Sequence, residues 1–426
     1  MPPAHDGSQF MTRIIFNPFA QSFRQNPYPT YRAMREAGAF RALGMWVFAR
    51  HDDVKAVLRD RRFSSALIPA IVEGRLAEFG MVCPEVSKLG KKAIVFTDNP
   101  EHARLRRLAN VVFSRDLLEG LRPLARRLMR EHLDSYLRGL GDDFISRVAR
   151  PLPLKLLLSW MEIDHVHLEA VARWNHEIRY FLEPGTVTRD QFAQIYASLK
   201  GFLTFFSHYI EARRAGSGSD LISQMATRRT RDDSFTAEEV AYMCVMAFVA
   251  GAETTQALLG NAAWLLATHP AELERLLSGQ VTVGQAADEI LRFETPLQMT
   301  KRVATEDAFV GGVDIKAGDQ LLLCLAAGNH DDAIFPHADT FNIGRANADQ
   351  HLGFGYGAHA CLGAHLAQIQ VEALLDELVA RRSLRLSCVA APVWQSHSVI
   401  VRGLDSLTLA TDQRGDALAD DRQIVD

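Results

Sequence analysis

Ten consecutive residues, Phe354 to Gly363 (FGYGAHACLG), constrain this chain more than any other part of it. Cys361 lies just ahead of an apolar stretch in which Leu362, Leu366, Ile369 and Ala373 recur at helical spacing. Its sulfur therefore falls near a helix N-terminus, where free backbone N–H groups and the positive end of the helix dipole favour a thiolate. Gly355, Gly357 and Gly363 allow the loop to bend and let a flat ligand approach the backbone. Six fixed residue types at this spacing arise by chance about once in 10⁸ starting positions. A lone cysteine is usually inert and buried; within this pattern a functional role is expected.

The stretch resembles F-G-x-G-x-H-x-C-x-G, the haem-binding loop of the cytochrome P-450 family, and matches it at every specified position. The resemblance implies haem b as cofactor, dioxygen as co-substrate and Cys361 as axial thiolate ligand to the iron. Such a ligand pushes electron density onto the iron and favours O–O cleavage. Phe354 and Gly355 would lie against the haem.

A second segment carries oxygen chemistry. Thr236 with Glu239 forms a capping box that opens a helix expected to run to about His269. That is far longer than an average helix. Midway stands AGAETT (250–255), an acid and two hydroxyls following an apolar run. Buried, such a group is costly unless it is hydrogen-bonded or wet. Thr254 can bond back to a carbonyl one turn earlier and loosen the helix locally. The segment resembles A-G-x-[D/E]-T-T of the family's long central helix, which crosses the distal face of the haem. By that resemblance Thr254 holds dioxygen and a water, and Glu253 relays protons for O–O scission. Local physics does not separate Thr254 from Thr255.

Haem carries two propionates and needs cationic or hydrogen-bonding partners. The run 98–106 resembles the start of the family's third main helix, with His102 and Arg106 on one face at i, i+4. With Arg302 and His359 they form the expected haem-contacting set. Glu289 and Arg292 match the family's E-x-x-R, and Arg345 would complete a buried ion triad bracing the cysteine loop. The chain departs from the usual text at Gln368 and Gln370 (arginine and glutamate are common there), at His330 for an arginine and at Asn342 for an aspartate. Those after Cys361 obscure where a redox partner docks. Arg104 and Arg107, off the His102 face, are candidates for an acidic partner's footprint.

The remaining text fits one domain. Of 426 residues 48% are hydrophobic and 23% charged, and a net charge of −4 gives no reason to expect nucleic-acid binding. The pattern predicts a mainly α fold with a smaller β part, in the single-domain arrangement of the family with its long central helix over the haem. Residues 1–16 are expected to be a flexible extension, 17–410 the catalytic domain and 411–426 a polar, frayed tail. Residues 64–96, punctuated by Pro69, Gly74, Gly80, Pro84 and Gly90, read as a long irregular functional loop. Five widely spaced cysteines without C-x-x-C argue against disulfides and zinc and for a reducing compartment. The uncharged run 240–252 is too short for a bilayer, so a cytoplasmic, unanchored protein is expected.

The expected activity is a haem-thiolate monooxygenase hydroxylating or epoxidising a lipophilic small molecule. The resemblance favours a polyketide or other secondary metabolite. A ferredoxin-type donor with its NAD(P)H reductase would supply electrons, and a monomer is expected. The alternatives are a peroxygenase or isomerase, and a non-catalytic haem sensor.

Overall fold

The structure, a computed structural model, describes residue 14 and residues 16–139, 142–182, 187–214, 216, 218–230 and 233–413. A helix of 32 residues, Ala237–Thr268, runs through its centre. Its start is set as the sequence implies: Thr236 Oγ1 accepts from the Glu239 N–H at 3.2 Å, and the Glu239 carboxylate accepts from the Thr236 N–H at 2.8 Å. Helices Arg189–Arg213, Ala364–Ala380 and Pro151–Trp160 pack around it and share one continuous apolar core with it. By length and composition this helix could also cross a membrane, but 67% of its most apolar window is buried inside the protein. It is the core helix.

Beside the helical body stands a five-stranded sheet in the order Phe40–Ala42, Met45–Phe48, Gln320–Cys324, Met299–Ala304, Phe63–Ser64. Met45–Phe48 pairs parallel with Gln320–Cys324, Val47 opposite Leu322, and the other pairs are antiparallel. Leu384–Cys388 with Leu409–Gln413, and Val393–Trp394 with Leu404–Ser406, form small sheets near the end of the chain. The mainly α prediction with a smaller β part therefore holds.

Three expectations need correction. Residues 64–96 are not an irregular loop but hold helices Leu67–Glu78 and Pro84–Lys92. Pro84 is the first residue of its helix and Pro69 lies in the first turn of the other, where a missing N–H costs nothing. Gly80, at φ 67°, follows the end of the first helix as a left-handed cap. The punctuation marked helix ends. Second, Phe16 is buried and packs with Phe23 and Tyr31, so ordered structure begins before residue 17. Third, the final strand runs on to Gln413, pairing with Leu384, so residues 411–413 are not a frayed tail. Most of the expected extension and tail lies outside the described residues.

Candidate active site

The cysteine loop is fixed by its own backbone. The Cys361 N–H donates to the Phe354 carbonyl at 2.8 Å and the Gly355 N–H to the Leu352 carbonyl at 2.8 Å. Gly355 and Gly357 take φ of 67° and 74°, a region costly for other residues. A Cβ on Gly357 would also lie 2.5 Å from the Leu58 carbonyl oxygen. Gly363 differs: its φ is −92°, and no protein atom lies within 4 Å of where a Cβ would sit. Nothing inside the protein requires a glycine there, whereas a flat ligand lying against the loop would.

Cys361 is accessible yet deeply enclosed, so its open surface faces an internal cleft. Burial pushes its thiol above the ordinary value, and the Gly363 N–H and Arg106 pull it only partly back. A coordinated cation would favour the thiolate form.

Around the loop the four expected cations come together. His102 and His359 lie ring against ring, with centroids 4.0 Å apart. Arg106 Nη1 donates to the Ala360 carbonyl at 2.7 Å, anchoring the residue before Cys361. Arg302 is 7% exposed, donates to the Lys301 carbonyl at 2.7 Å and forms no ion pair among the described residues. Every member is depressed as a cation. Burial, with His102 and Arg302 beside it, lowers His359 to about 3. Burial lowers Arg302 to about 10, and Arg106 and His102 fall for the same reason. Asp98 is the carboxylate nearby, and it also accepts from the Ser64 hydroxyl and the Ser65 N–H. His102 Nε2 is buried without a hydrogen-bond partner. With Asp98 as the carboxylate beside four basic groups, the cluster is short of negative charge, and a group bearing two carboxylates fits it.

On the central helix the open face is narrow. Ala247, Ala250, Gly251 and Thr254, at i, i+3, i+4 and i+7, share one face and retain accessible surface in the middle of the helix, where most neighbours are buried. Thr254 Oγ1 donates to the Ala250 carbonyl at 2.7 Å. Thr255 is 3% exposed and lies off this face, so the geometry separates two residues that local sequence did not. Glu253 points elsewhere: its Oε1 is 2.9 Å from His397 Nε2 and 3.6 Å from Arg179 Nη1. Burial alone would raise the Glu253 carboxyl, but His397, Arg179 and His176 together hold it below its ordinary value. These three partners were not assigned from sequence. They lie far from residue 253 along the chain and carry no motif of their own.

The triad forms as expected. Glu289 and Arg292 are fully buried and paired at 2.7 Å, and Arg345 reaches Glu289 at 3.1 Å. A further residue, Asn329, ties the triad to the cysteine loop. Arg292 Nη1 donates to the Asn329 carbonyl at 2.7 Å, and the Asn329 side chain accepts from the Leu352 N–H at 2.6 Å. Leu352 in turn holds Gly355. The departure at Asn342 is absorbed, because Glu289 uses its backbone N–H at 3.0 Å and its side chain accepts from Arg275. His330 bonds the Phe293 carbonyl at 2.9 Å and lies 3.1 Å from Asp339, and Gln368 donates to Asp288 at 3.3 Å. Arg104 is corrected as a docking residue: it pairs with Glu101, Asp233 and Glu239 and joins helices inside the fold. Arg107 remains exposed.

A mostly helical body whose enclosed cysteine loop lies among arginines and histidines short of negative charge fits the class of haem-binding oxidoreductases. The family profile for Cytochrome P-450 matches residues 185–393. The chain is 31% identical to 6-deoxyerythronolide B hydroxylase of Saccharopolyspora erythraea, over 92% of this chain and 98% of that one. It is also 31% identical to the mycinamicin IV hydroxylase/epoxidase of Micromonospora griseorubida, over 84% and 87%. The crystal structure of CalO2 superposes with a TM-score of 0.86 at 26% identity, covering 94% of this chain and all of that one. The chain belongs to the cytochrome P-450 family. It is a haem monooxygenase that uses haem b and dioxygen, receives electrons from a redox partner and oxidises a lipophilic substrate.

Proposed function

We propose that Cys361 is the axial ligand of the haem iron and that His102, Arg106, Arg302 and His359 hold the propionates, with Phe354 and Gly355 against the macrocycle. One observation carries this reading: two arginines and two histidines are gathered round an enclosed cysteine, with His102 and His359 ring against ring, Arg106 on the Ala360 carbonyl and Arg302 buried without an ion pair among the described residues. Bound haem supplies the activation of dioxygen. Thr254, on the open face of the central helix, orients dioxygen and a water through its hydroxyl. Glu253 moves protons toward that hydroxyl, and its cationic partners keep it ionised between transfers.

The substrate we propose is a polyketide or related secondary metabolite, hydroxylated or epoxidised. The names of two relatives, a mycinamicin hydroxylase/epoxidase and a deoxyerythronolide hydroxylase, support this class. Electrons come from a ferredoxin-type protein reduced by its NAD(P)H reductase. Lys55, 4.7 Å from the Tyr356 ring, and Arg59 give the outer side of the cysteine loop a positive surface for such an acidic partner. A monomer in the cytoplasm completes the reading, supported by five cysteines that are all free.

The test is the absorption spectrum of the reduced protein under carbon monoxide. A strongly red-shifted Soret band, lost in Cys361→His while haem is retained, is expected. A band unchanged by that substitution would overturn the assignment.

A further inference from the structure

His397 sits between two carboxylates. Its Nε2 is 2.9 Å from Glu253 Oε1, and its Nδ1 is 3.7 Å from Asp405 Oδ1 on strand Leu404–Ser406. Exposure rises outward along this line: the side chains of Glu253, His397 and Asp405 are 16%, 28% and 40% accessible. The other charged group touching Glu253, Arg179, is 4% exposed and cannot release a proton near neutral pH. His176, whose ring lies 6.1 Å from that of His397, is held toward its neutral form by burial, Arg179 and His397. Glu253, Arg179, His176 with its neighbour Glu177, and Asp405 are thus the titratable and charged groups around the His397 imidazole. Of the basic groups among them, only His397 both bonds Glu253 and reaches water.

We propose that His397, which lies between Glu253 and Asp405, is the proton donor that recharges Glu253 from solvent. This rests on the role given to Glu253 above. In the step, the His397 Nε2–H bond breaks and an O–H bond forms on Glu253 Oε1, leaving neutral imidazole beside a neutral carboxylic acid. Glu253 passes its proton toward Thr254 and regains its charge. The imidazole, partly exposed, takes one proton from water before the next transfer. An imidazole suits this work because its ordinary titration lies near 6.5. His397 is a positioning and proton-supplying residue, removed from the reacting atoms by Glu253.

Two measurements test it. The first follows the His397 ring nitrogens by NMR across pH in the reduced, carbon-monoxide-bound holoprotein, which is diamagnetic. Asp405→Asn and Glu253→Gln should each lower the His397 titration by about half a unit or more, through loss of a nearby opposite charge. A midpoint unmoved by either overturns the proposal. The second uses His397→Gln, which keeps a hydrogen bond to Glu253 but cannot carry a proton. With a surrogate ferredoxin, its reductase and NADPH, the variant should oxidise NADPH about tenfold more slowly. Its pH dependence between 6 and 8 should flatten and its solvent isotope effect should rise. If glutamine restores wild-type rate and pH profile, His397 is only structural and the proposal fails. A normal red-shifted Soret band in that variant shows that the failure belongs to the relay and not to the haem assignment.

Discussion

The two sides of the site are unbalanced in opposite directions. Around the cysteine loop, His102, His359, Arg106 and Arg302 are basic groups with little negative charge beside them, and burial disfavours the protonated form of each, leaving the two imidazoles neutral. Beside the central helix, Glu253 is one carboxylate among His397, Arg179 and His176, and it is depressed because its counter-charges are already present. On the reading proposed above, the first environment would be completed by an anionic ligand, so its business would be binding. The second is complete within the protein, and what it can exchange is a proton. A lowered value is thus found on both sides for different causes: desolvation without a partner on one, partners that defeat desolvation on the other.

Four experiments would break or sharpen this contrast. The largest effect is expected at the brace. Arg292→Ala leaves Glu289 buried beside Arg345 alone and removes the hold on Asn329, and should cost about 3–5 kcal/mol in urea unfolding. A loss below 1 kcal/mol would mean that the cysteine loop does not depend on the triad.

The pH dependence of the haem-free protein comes next. His102 and His359 are neutral in the fold, whereas unfolded imidazoles take up protons below about 6.5. The unfolded state therefore binds more protons in this range, and stability falls as pH drops from 6.5 toward the lowered folded values. Unfolding free energies from urea titrations at pH 7 and 5 should differ by about 2 kcal/mol or somewhat more without haem, and by clearly less with haem, whose carboxylates would favour the protonated imidazoles. Equal losses in both forms would show that no anion reaches the cluster.

Arg302→Ala should weaken haem retention about 10- to 100-fold, read by transfer of haem to apomyoglobin, with the red-shifted Soret band preserved in the loaded fraction. Unchanged retention would remove Arg302 from the propionate set.

The smallest effect is expected at Glu253. Because its value is lowered, its stabilisation is present above about 4.3 and is lost as pH falls through the lowered value. At pH 7, Glu253→Gln leaves Arg179 short of a counter-charge, with two of its nitrogens already unpartnered. The cost should be about 1–2 kcal/mol with haem retention intact. A fall in haem retention as large as that of Arg302→Ala would erase the contrast between the two sides.

What could be read in the chain followed its covalent neighbourhood. The cysteine loop, the capping box at Thr236 and Glu239, the E-x-x-R pair and the AGAETT segment are each contiguous or within one helical turn, so residue type and spacing fix their geometry. Residues 64–96 read as a loop only if proline and glycine break helices, whereas Pro69, Pro84 and Gly80 stand at helix ends, where they fit. Arg104 was misread because charge on a helix says nothing of what faces it, and here Glu239 and Asp233 do.

The sequence by itself determined the family and the long central helix, and it marked the cysteine loop and the basic residues that the structure gathers around it, all from local patterns. Only the tertiary structure decided which threonine lies on the open face, that Asn329 links the triad to the cysteine loop, and that Glu253 is enclosed by Arg179, His176 and His397. Those pairings join segments more than twenty residues apart or turn on which side of a helix is left uncovered. Packing sets both, and spacing along the chain does not record them.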